Sequence, residues 1–572
     1  MLNSKSNTNN ILPFKRRFIR TQRLRYQTHL PKILTVETNV VSSGVNSKSS
    51  GIDDEVKKAF PNLYGRPVFK FEKNKAEKIE HKAIKVGIVF SGGPAPGGHN
   101  VIVGLYDLIK SHNKNSEVWG IYHSMTGLYE ESYIVLNDEI IDQYRNIGGF
   151  NMILTGRKYT DPEIALPAFS KFCKTSGLNA LVVVGGDGSN TRAAELAEYL
   201  CQKNQDVQVV GIPKTIDGDI KNRFIETSFG FDTATKVYSQ LIGNIMIDAL
   251  SSEKYWHFIK VMGRSASHVA LECALKTHPN MVLIGEEIEK QNKTLNDVIC
   301  DICDLIEERS KKGLKHGVLI IPEGLIEFIP EFSVLINECN QIVKENKDRE
   351  ERWTREEMLE KLKGNSLKLY SSLPKGIARE LLYSKDWCGD ITLSKIATDK
   401  LLKWSCRKEL KRRSYKDFNC MTHFFGYEGR CGYPSNFDCD YCYVLGNTAG
   451  RFIESGITGV MCGVNGTWKK TEEWIPFGMP FPEMFLMKSN GFQKGLNPVA
   501  KRILVDLKGV PFKTLLKYRG IWRMDDDYYA CGPIQYHGDT KDERTITLLL
   551  EQRNKKNWMK TKDETEESKN EN

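Results

Sequence analysis

The sequence predicts an α/β fold with parallel-rich sheets covered by helices, and three observations carry that prediction. Short apolar runs of strand length recur along the chain, IKVGIVF, ALVVV, VQVVGIP, WHFIKV and GVLIIP among them. Each ends in a polar loop that contains glycine. Segments with helical periodicity, such as HNVIVGLYDLIKSHN, follow several of these loops. Strand, glycine turn and amphipathic helix in alternation mark βαβ units, whose strands are buried on both faces and read as continuous apolar runs.

Bulk composition allows this. The chain has 572 residues, 40% of them hydrophobic and 27% charged. It can bury a large core, which excludes wholesale disorder, a collagen-like fibre and a small disulfide scaffold. The net charge of +10 is the difference between 82 basic and 72 acidic residues. Spread over this length it does not point to nucleic acid. No apolar stretch approaches the roughly 18 residues of a membrane span. The 14 cysteines, without a secretory h-region after Met1, read as reduced thiols. Two C-x-x-C pairs, Cys300/Cys303 and Cys439/Cys442, lie far apart with no H-x-H partner beside either, and read as structural thiols.

Residues 1–80 read as a basic N-terminal arm with a little local order. Glu37 is the only acid between Met1 and Gly51, whereas Lys15, Arg16, Arg17, Arg20, Arg23, Arg25 and Lys32 crowd its middle. Such a composition suits a transit peptide, but no clean amphipathic run is present, which favours a solvated arm. Residues 81–330 carry the strand–loop–helix units. From 331 to 417 the strands stop and segments rich in Glu, Lys, Arg and Leu predict a helical insertion with solvated charged faces. Residues 418–552 resume the core with HFFGYEGRCGYPSNFDCDYCYVLG, and 553–572 form a charged tail.

Ligands of open α/β sheets bind beyond the carboxyl ends of the strands, so the loops there carry the chemistry. The first is SGGPAPGGHN, Ser91–Asn100, whose four glycines permit close backbone approach to an anion at a helix N-terminus. Alone it could be a tight strand–helix turn. The second is GGDGSN, Gly185–Asn190. Its glycines can cradle phosphates, and Asp187 is placed to reach a hydrated Mg²⁺, which takes one or two carboxylates plus phosphate oxygens. The third is PKTIDGD, Pro213–Asp219. It brings a lysine, a hydroxyl and two carboxylates into one turn, the types needed to take a proton from an acceptor hydroxyl and to stabilise a phosphoryl group in flight.

SGGPAPGGHN, GGDGSN, PKTIDGDIKN, VMGRSASH and IPEG occur in that order, each at the end of a predicted strand. Together they resemble the phosphofructokinase family, from about Ala83 to about Glu551. QRLRYQTHLPKIL, the helical insertion and the HFFGYEGR block resemble its long, plant-beta-subunit-like, pyrophosphate-dependent branch. The resemblance implies two Rossmann-like lobes and a glycolytic enzyme that phosphorylates C1 of fructose 6-phosphate. It further implies Mg²⁺ as cofactor, a cytoplasmic location, and a homo-oligomer (dimer or tetramer) or a hetero-oligomer with a related subunit. No nucleic-acid or membrane partner is expected. A non-catalytic regulatory subunit is the alternative. Gly92, Gly93, Asp187, Asp217 and Asp219, all present, weigh against it.

Site roles follow from the same resemblance. Gly92, Arg157, Gly186, Gly188 and Ser189 would meet the donor, and Asp187 the metal. Asp217 would be the base, with Lys214, Thr215 and Asp219 completing the catalytic loop. Thr215, Ile216, Asp217, Met262, Gly263, Arg264, Glu323, Tyr427, Glu428, Gly429 and Arg430 would line the sugar-phosphate site. Lys254 and Tyr255 are expected to reach a neighbouring subunit's site. Pyrophosphate-dependent members usually carry an acid where this chain has Gly188. Its absence frees space for the α-phosphate of ATP and tips the donor expectation slightly to ATP. Lys214 suits either donor, and diphosphate stands close behind.

Overall fold

The structure, a computed structural model, describes residues 18–46, 53–75, 80–156, 162–345, 353–383, 396–489, 496–500 and 503–552. Fifteen strands appear among them: β1 (Thr38–Asn46), β2 (Pro67–Lys73), β3 (Lys85–Phe90), β4 (Glu117–Ile121), β5 (Tyr133–Val135), β6 (Ala180–Gly185), β7 (Gln208–Pro213), β8 (Trp256–Val261), β9 (Met281–Val282), β10 (Gly317–Pro322), β11 (Cys420–Phe425), β12 (Val460–Asn465), β13 (Ile475–Pro480), β14 (Phe485–Ser489) and β15 (Leu496–Ala500). Nine form one sheet in the order β1-β2-β13-β12-β7-β6-β3-β4-β5, and four form a second in the order β11-β8-β10-β9. β14 and β15 make a separate ribbon.

Parallel pairing runs through the centre of the large sheet, from β4 through β3, β6 and β7 to β12. The four-stranded sheet is parallel throughout. Every residue of β6, β7, β8, β10 and β12 is buried, as strands covered on both faces require. The expected α/β class, with helix-covered parallel-rich sheets in two lobes, is what the chain forms.

One packing contact sets the spacing of the large lobe. The helices Gly98–His112 and Asn436–Glu454 lie against each other through Gly104 and Gly446. A methyl group at Gly104 would stand 2.2 Å from the Tyr443 carbonyl oxygen, and one at Gly446 would stand 2.1 Å from that of Val101. Only glycine permits this approach.

One regional expectation needs correction. The segment read as a solvated basic arm with a little local order contributes β1 and β2, which extend the large sheet by antiparallel pairing onto β13. Its Arg23 is only 2% exposed. The guanidinium donates to Asn436 Oδ1, the Pro434 carbonyl and Cys439 Sγ, and it stacks over Tyr536. Part of the basic charge is therefore structural. The segment 331–417 adds a packing role to its expected helices. Its described residues are helical as expected, in the runs Pro330–Glu345, Arg355–Lys361, Gly364–Ser372, Lys375–Tyr383 and Thr398–Arg412. Their inner faces, with Leu335, Met358, Tyr370 and Leu402, share a core with Trp256, Phe258, Leu319 and Ile321 of the smaller sheet. The insertion is the cover of that sheet. The tail 553–572 lies outside the described residues.

All thirteen described cysteines are unpaired. Cys300 and Cys303 sit on the helix Leu295–Lys311, and Cys439 and Cys442 are buried on Asn436–Glu454, as structural thiols. Among the described residues no helix is long and apolar enough to cross a membrane.

Candidate active site

The three phosphate-type loops meet at the carboxyl ends of β3, β6 and β7, and the backbone joins them. Ser91 N donates to the Val184 carbonyl at 2.9 Å, and Lys214 N to that of Gly185 at 2.9 Å. Adjacent parallel strands therefore pass their register into adjacent loops. Ser189 Oγ donates to Ser91 Oγ at 2.8 Å, fastening the second loop to the first. Gly92 adopts φ +83°, a left-handed conformation that disfavours any side chain. Its carbonyl accepts from Thr155 Oγ1 at 2.7 Å, and its N–H donates to the Gly156 carbonyl. A Cβ at Gly92 would stand 3.4 Å from Lys214 Nζ, so the ammonium of the third loop faces the glycine of the first.

Gly186 caps the helix Asp187–Gln202, which places Asp187 in its first turn with backbone N–H groups exposed to an anion. Asp187 Oδ1 accepts from Gly188 N at 2.8 Å. Gly188 is exposed, and a Cβ built there meets nothing within 4 Å. Asn190 Nδ2 donates to the carbonyls of Gly185 and Gly186 and closes the turn.

Within the third loop, Thr215 Oγ1 does two things. It accepts from Asp217 N at 3.0 Å and donates to Asp219 Oδ1 at 3.2 Å. Asp219 is buried, and its own carbonyl accepts from Ile503 N. Asp219 thus braces the loop, while the half-buried Asp217 is carried on a backbone held at both ends. Ile216 is buried beneath them.

The smaller sheet supplies the opposite wall. Glu323 N donates to the Val261 carbonyl and Gly324 N to that of Gly263, which joins the loop after β8 to the loop after β10. Glu323 Oε2 accepts from Gly263 N at 3.2 Å. Burial pushes the Glu323 carboxyl up, the Gly263 N–H pulls it back, and the nearby Asp217 charge pushes it up again. That repulsion places Asp217 and Glu323, from different sheets, at one site. Met262 N donates to the Phe425 carbonyl, which brings YEGR alongside. Glu428 accepts from Gly426 N at 2.8 Å. Arg430 Nε donates to the Pro94 carbonyl at 3.4 Å, and its guanidinium lies 5.1 Å from the ring centre of Tyr427. Arg430 therefore ties the YEGR loop to the first glycine-rich loop.

The structure brings together Gly92, Gly186, Gly188, Ser189, Asp187, Lys214, Thr215, Ile216, Asp217, Asp219, Met262, Gly263, Arg264, Glu323, Tyr427, Glu428, Gly429 and Arg430. It does not bring Lys254 and Tyr255 to them. These two precede β8 at the end opposite Met262, about 20 Å away for a six-residue strand. Arg157 lies outside the described residues. Sequence reading missed Thr155, which grips Gly92, and Tyr238. The buried Tyr238 hydroxyl donates to the Gly426 carbonyl at 2.6 Å, and its ring fills the space over Gly429. No local pattern distinguishes Tyr238 from other apolar positions on the long helix Phe231–Ser252.

A two-lobed α/β fold with phosphate-type loops facing a wall of arginines and carboxylates defines a phosphotransferase of the phosphofructokinase kind. The chain belongs to the phosphofructokinase family, whose model matches residues 85–453. It is 43% identical over 540 residues to pyrophosphate--fructose 6-phosphate 1-phosphotransferase of Entamoeba histolytica, covering 93% of this chain and 98% of that one. The beta 2 subunit of the enzyme of that name in Arabidopsis thaliana is 41% identical, over 93% and 94% of the two chains. A crystal structure of a pyrophosphate-dependent phosphofructokinase from Nitrosospira multiformis shares the fold at TM-score 0.52 and 13% identity, over 80% of this chain and 96% of that one.

Proposed function

We propose that the chain transfers a phosphoryl group from diphosphate to the 1-hydroxyl of fructose 6-phosphate, giving fructose 1,6-bisphosphate and inorganic phosphate. The observation that carries this is full-length similarity at 43% identity to a protein of that name, joined to a site whose loops meet as the reaction needs. The slight expectation of ATP, drawn from Gly188, is revised. The relatives above are named for diphosphate, and Gly188 opens space without supplying any contact to an adenosine.

In this reading Asp217 accepts the proton of the 1-hydroxyl as the sugar oxygen bonds to phosphorus and the bridging P–O bond breaks. Lys214 Nζ, facing Gly92, stabilises the departing phosphate. Arg264 and Arg430 hold the 6-phosphate, for which a planar guanidinium is suited, and Glu323 takes sugar hydroxyls. Asp187 at its helix N-terminus fits the hard-oxygen chemistry of Mg²⁺, and it would hold the ion with donor phosphate oxygens. When bound, that ion neutralises charge on the transferring group. Lys254 and Tyr255, remote from this chain's own loops, fit completion of a neighbouring copy's site. The exposed Tyr255, Met421 and Phe424 around β8 and β11 support that assembly.

Steady-state rates with each donor test the proposal. Turnover with diphosphate at least tenfold above that with ATP is expected. Turnover with ATP alone would overturn the donor, and none with either would favour the regulatory-subunit alternative. Gly188→Asp, entering open space, should keep the diphosphate rate within a few-fold and remove residual ATP use.

A further inference from the structure

At the amino ends of the strands, away from the loops described above, three segments deliver a cluster the phosphotransfer does not use. Glu37 precedes β1, His81 precedes β3, and His112 ends the helix Gly98–His112. Their ligand atoms all lie within 4.8 Å of one another, the one such His/Cys/Asp/Glu group among the described residues. The two imidazoles stack, with ring centres 3.9 Å apart and planes at 29°.

The two edges of this stack differ. On one edge, Glu454 sits against the Nδ1 atoms of both rings, 2.8 Å from His112 and 3.4 Å from His81. On the other, both Nε2 atoms face Glu37, at 3.5 Å for His81 and 3.9 Å for His112. His81 Nε2 is buried and makes no hydrogen bond. A buried polar atom left so is costly unless something else meets it. We propose that Glu37, His81 and His112 form a binding site for a divalent transition ion of the zinc class.

The donor set supports this ion. Two imidazole nitrogens and a carboxylate with one open position form a known tetrahedral zinc arrangement. The Glu37 carboxylate reaches both rings, Oε2 standing 3.5 Å from His81 Nε2 and Oε1 3.9 Å from His112 Nε2, so either oxygen can serve as the single carboxylate ligand after a small rotation. Glu454 stands where an outer carboxylate should, on the second nitrogen of each ring, fixing both with Nε2 toward the ion. The backbone is anchored too. Asn113 Nδ2 donates to the His81 carbonyl at 2.9 Å, and Arg451 donates to the Leu34 and Val36 carbonyls and to Thr38 Oγ1 around Glu37. Binding requires the ring centres to part to about 5 Å, since an ion lies in the plane of each imidazole. Bound there, the ion clamps the start of β1 to the core.

The test uses the full chain, stripped with a chelator and kept in millimolar Mg²⁺ so that hard-oxygen sites stay filled. Zn²⁺ is titrated against a chromophoric competitor. One equivalent is expected at micromolar or tighter affinity. Affinity should fall at least 100-fold in His81→Ala and His112→Ala, and 10- to 100-fold in Glu454→Gln. X-ray absorption at the zinc edge should show nitrogen and oxygen at about 2.0–2.1 Å. Should the histidine variants fail to fold, the half-exposed Glu37→Gln serves, and Zn²⁺ should raise the thermal midpoint of the natural chain more than that of the variant. No bound equivalent, unchanged affinity in the variants, or a sulfur shell at about 2.3 Å would overturn the proposal.

Discussion

The first two loops of the nine-stranded sheet present glycine backbone to the site, whereas the loops of the four-stranded sheet present long side chains. The loops that carry Gly92, Gly186 and Gly188 are fastened by Ser189 to Ser91, Thr155 to Gly92 and Asn190 to Gly185. On the opposite wall Arg264, Glu323, Tyr427 and Arg430 present their side chains, and Tyr427 is 69% exposed. The difference teaches how each half meets its ligand. A backbone loop held by short hydrogen bonds is preorganised, while long side chains surrender rotamer freedom when they close on a substrate. The first loop should therefore be intolerant of an added Cβ at Gly92, whose φ is +83°, and the opposite wall intolerant of a lost head group.

Four measurements would break or sharpen that contrast. The largest effect is expected for Asp217→Asn, which keeps the loop's shape but removes the base. Turnover should fall about 10²- to 10⁴-fold with little change in the sugar KM, and normal turnover would remove Asp217 from that role. Arg430→Ala comes next. Loss of charged hydrogen bonds worth about 1.5–3 kcal/mol should raise the KM for the sugar phosphate roughly 10- to 150-fold and affect kcat less. An equal loss in donor affinity would mean that its bond to Pro94 carries the effect.

Gly92→Ala should lower kcat/KM for the donor about tenfold, from the roughly 1–2 kcal/mol of left-handed strain, and leave the sugar KM alone. Unchanged donor kinetics would show that backbone preorganisation is not what the first loop supplies. The smallest effect is one of stability. His99, beside the first loop, is held neutral. Its Nδ1 donates to the Ile147 carbonyl at 2.9 Å, and its Nε2 accepts from Met152 N. Burial pushes its pKa down to about 4. The unfolded chain therefore binds more protons than the folded one between about pH 6.5 and 4, and stability is lost as pH falls through that window. His99→Gln should flatten this acid limb by a few degrees in thermal midpoint. An unaltered limb would assign the acid sensitivity elsewhere, for instance to the buried His268.

Much of the site was legible in the sequence because its chemistry is local. Lys214, Thr215, Asp217 and Asp219 fall within one turn, and the strand before them is an unbroken apolar run. The two ends of YEGR were legible for the same reason. Tyr238 was not, because its partners Gly426 and Gly429 lie nearly two hundred residues away. The arm misled because its strands answer a distant edge. β2 pairs with β13, some four hundred residues later, and β1 pairs with β2, partners that no local pattern names. The insertion was legible in part. Its helices were plain, but the sheet face they cover was not.

By itself the sequence determined the α/β class, the order of the loops and the residue types that handle phosphate, since each depends on patterns within a dozen residues. Only the tertiary structure decided which loops share a wall, that Arg430 spans from one sheet to the other, and that Lys254 and Tyr255 stand apart from their own chain's site. It alone brought Glu37 and Glu454 to opposite edges of two stacked histidines. The physical reason is the same in each case. Strand register and helix packing fix positions between residues hundreds apart, through burial summed over many contacts, and no local stretch of sequence contains that sum.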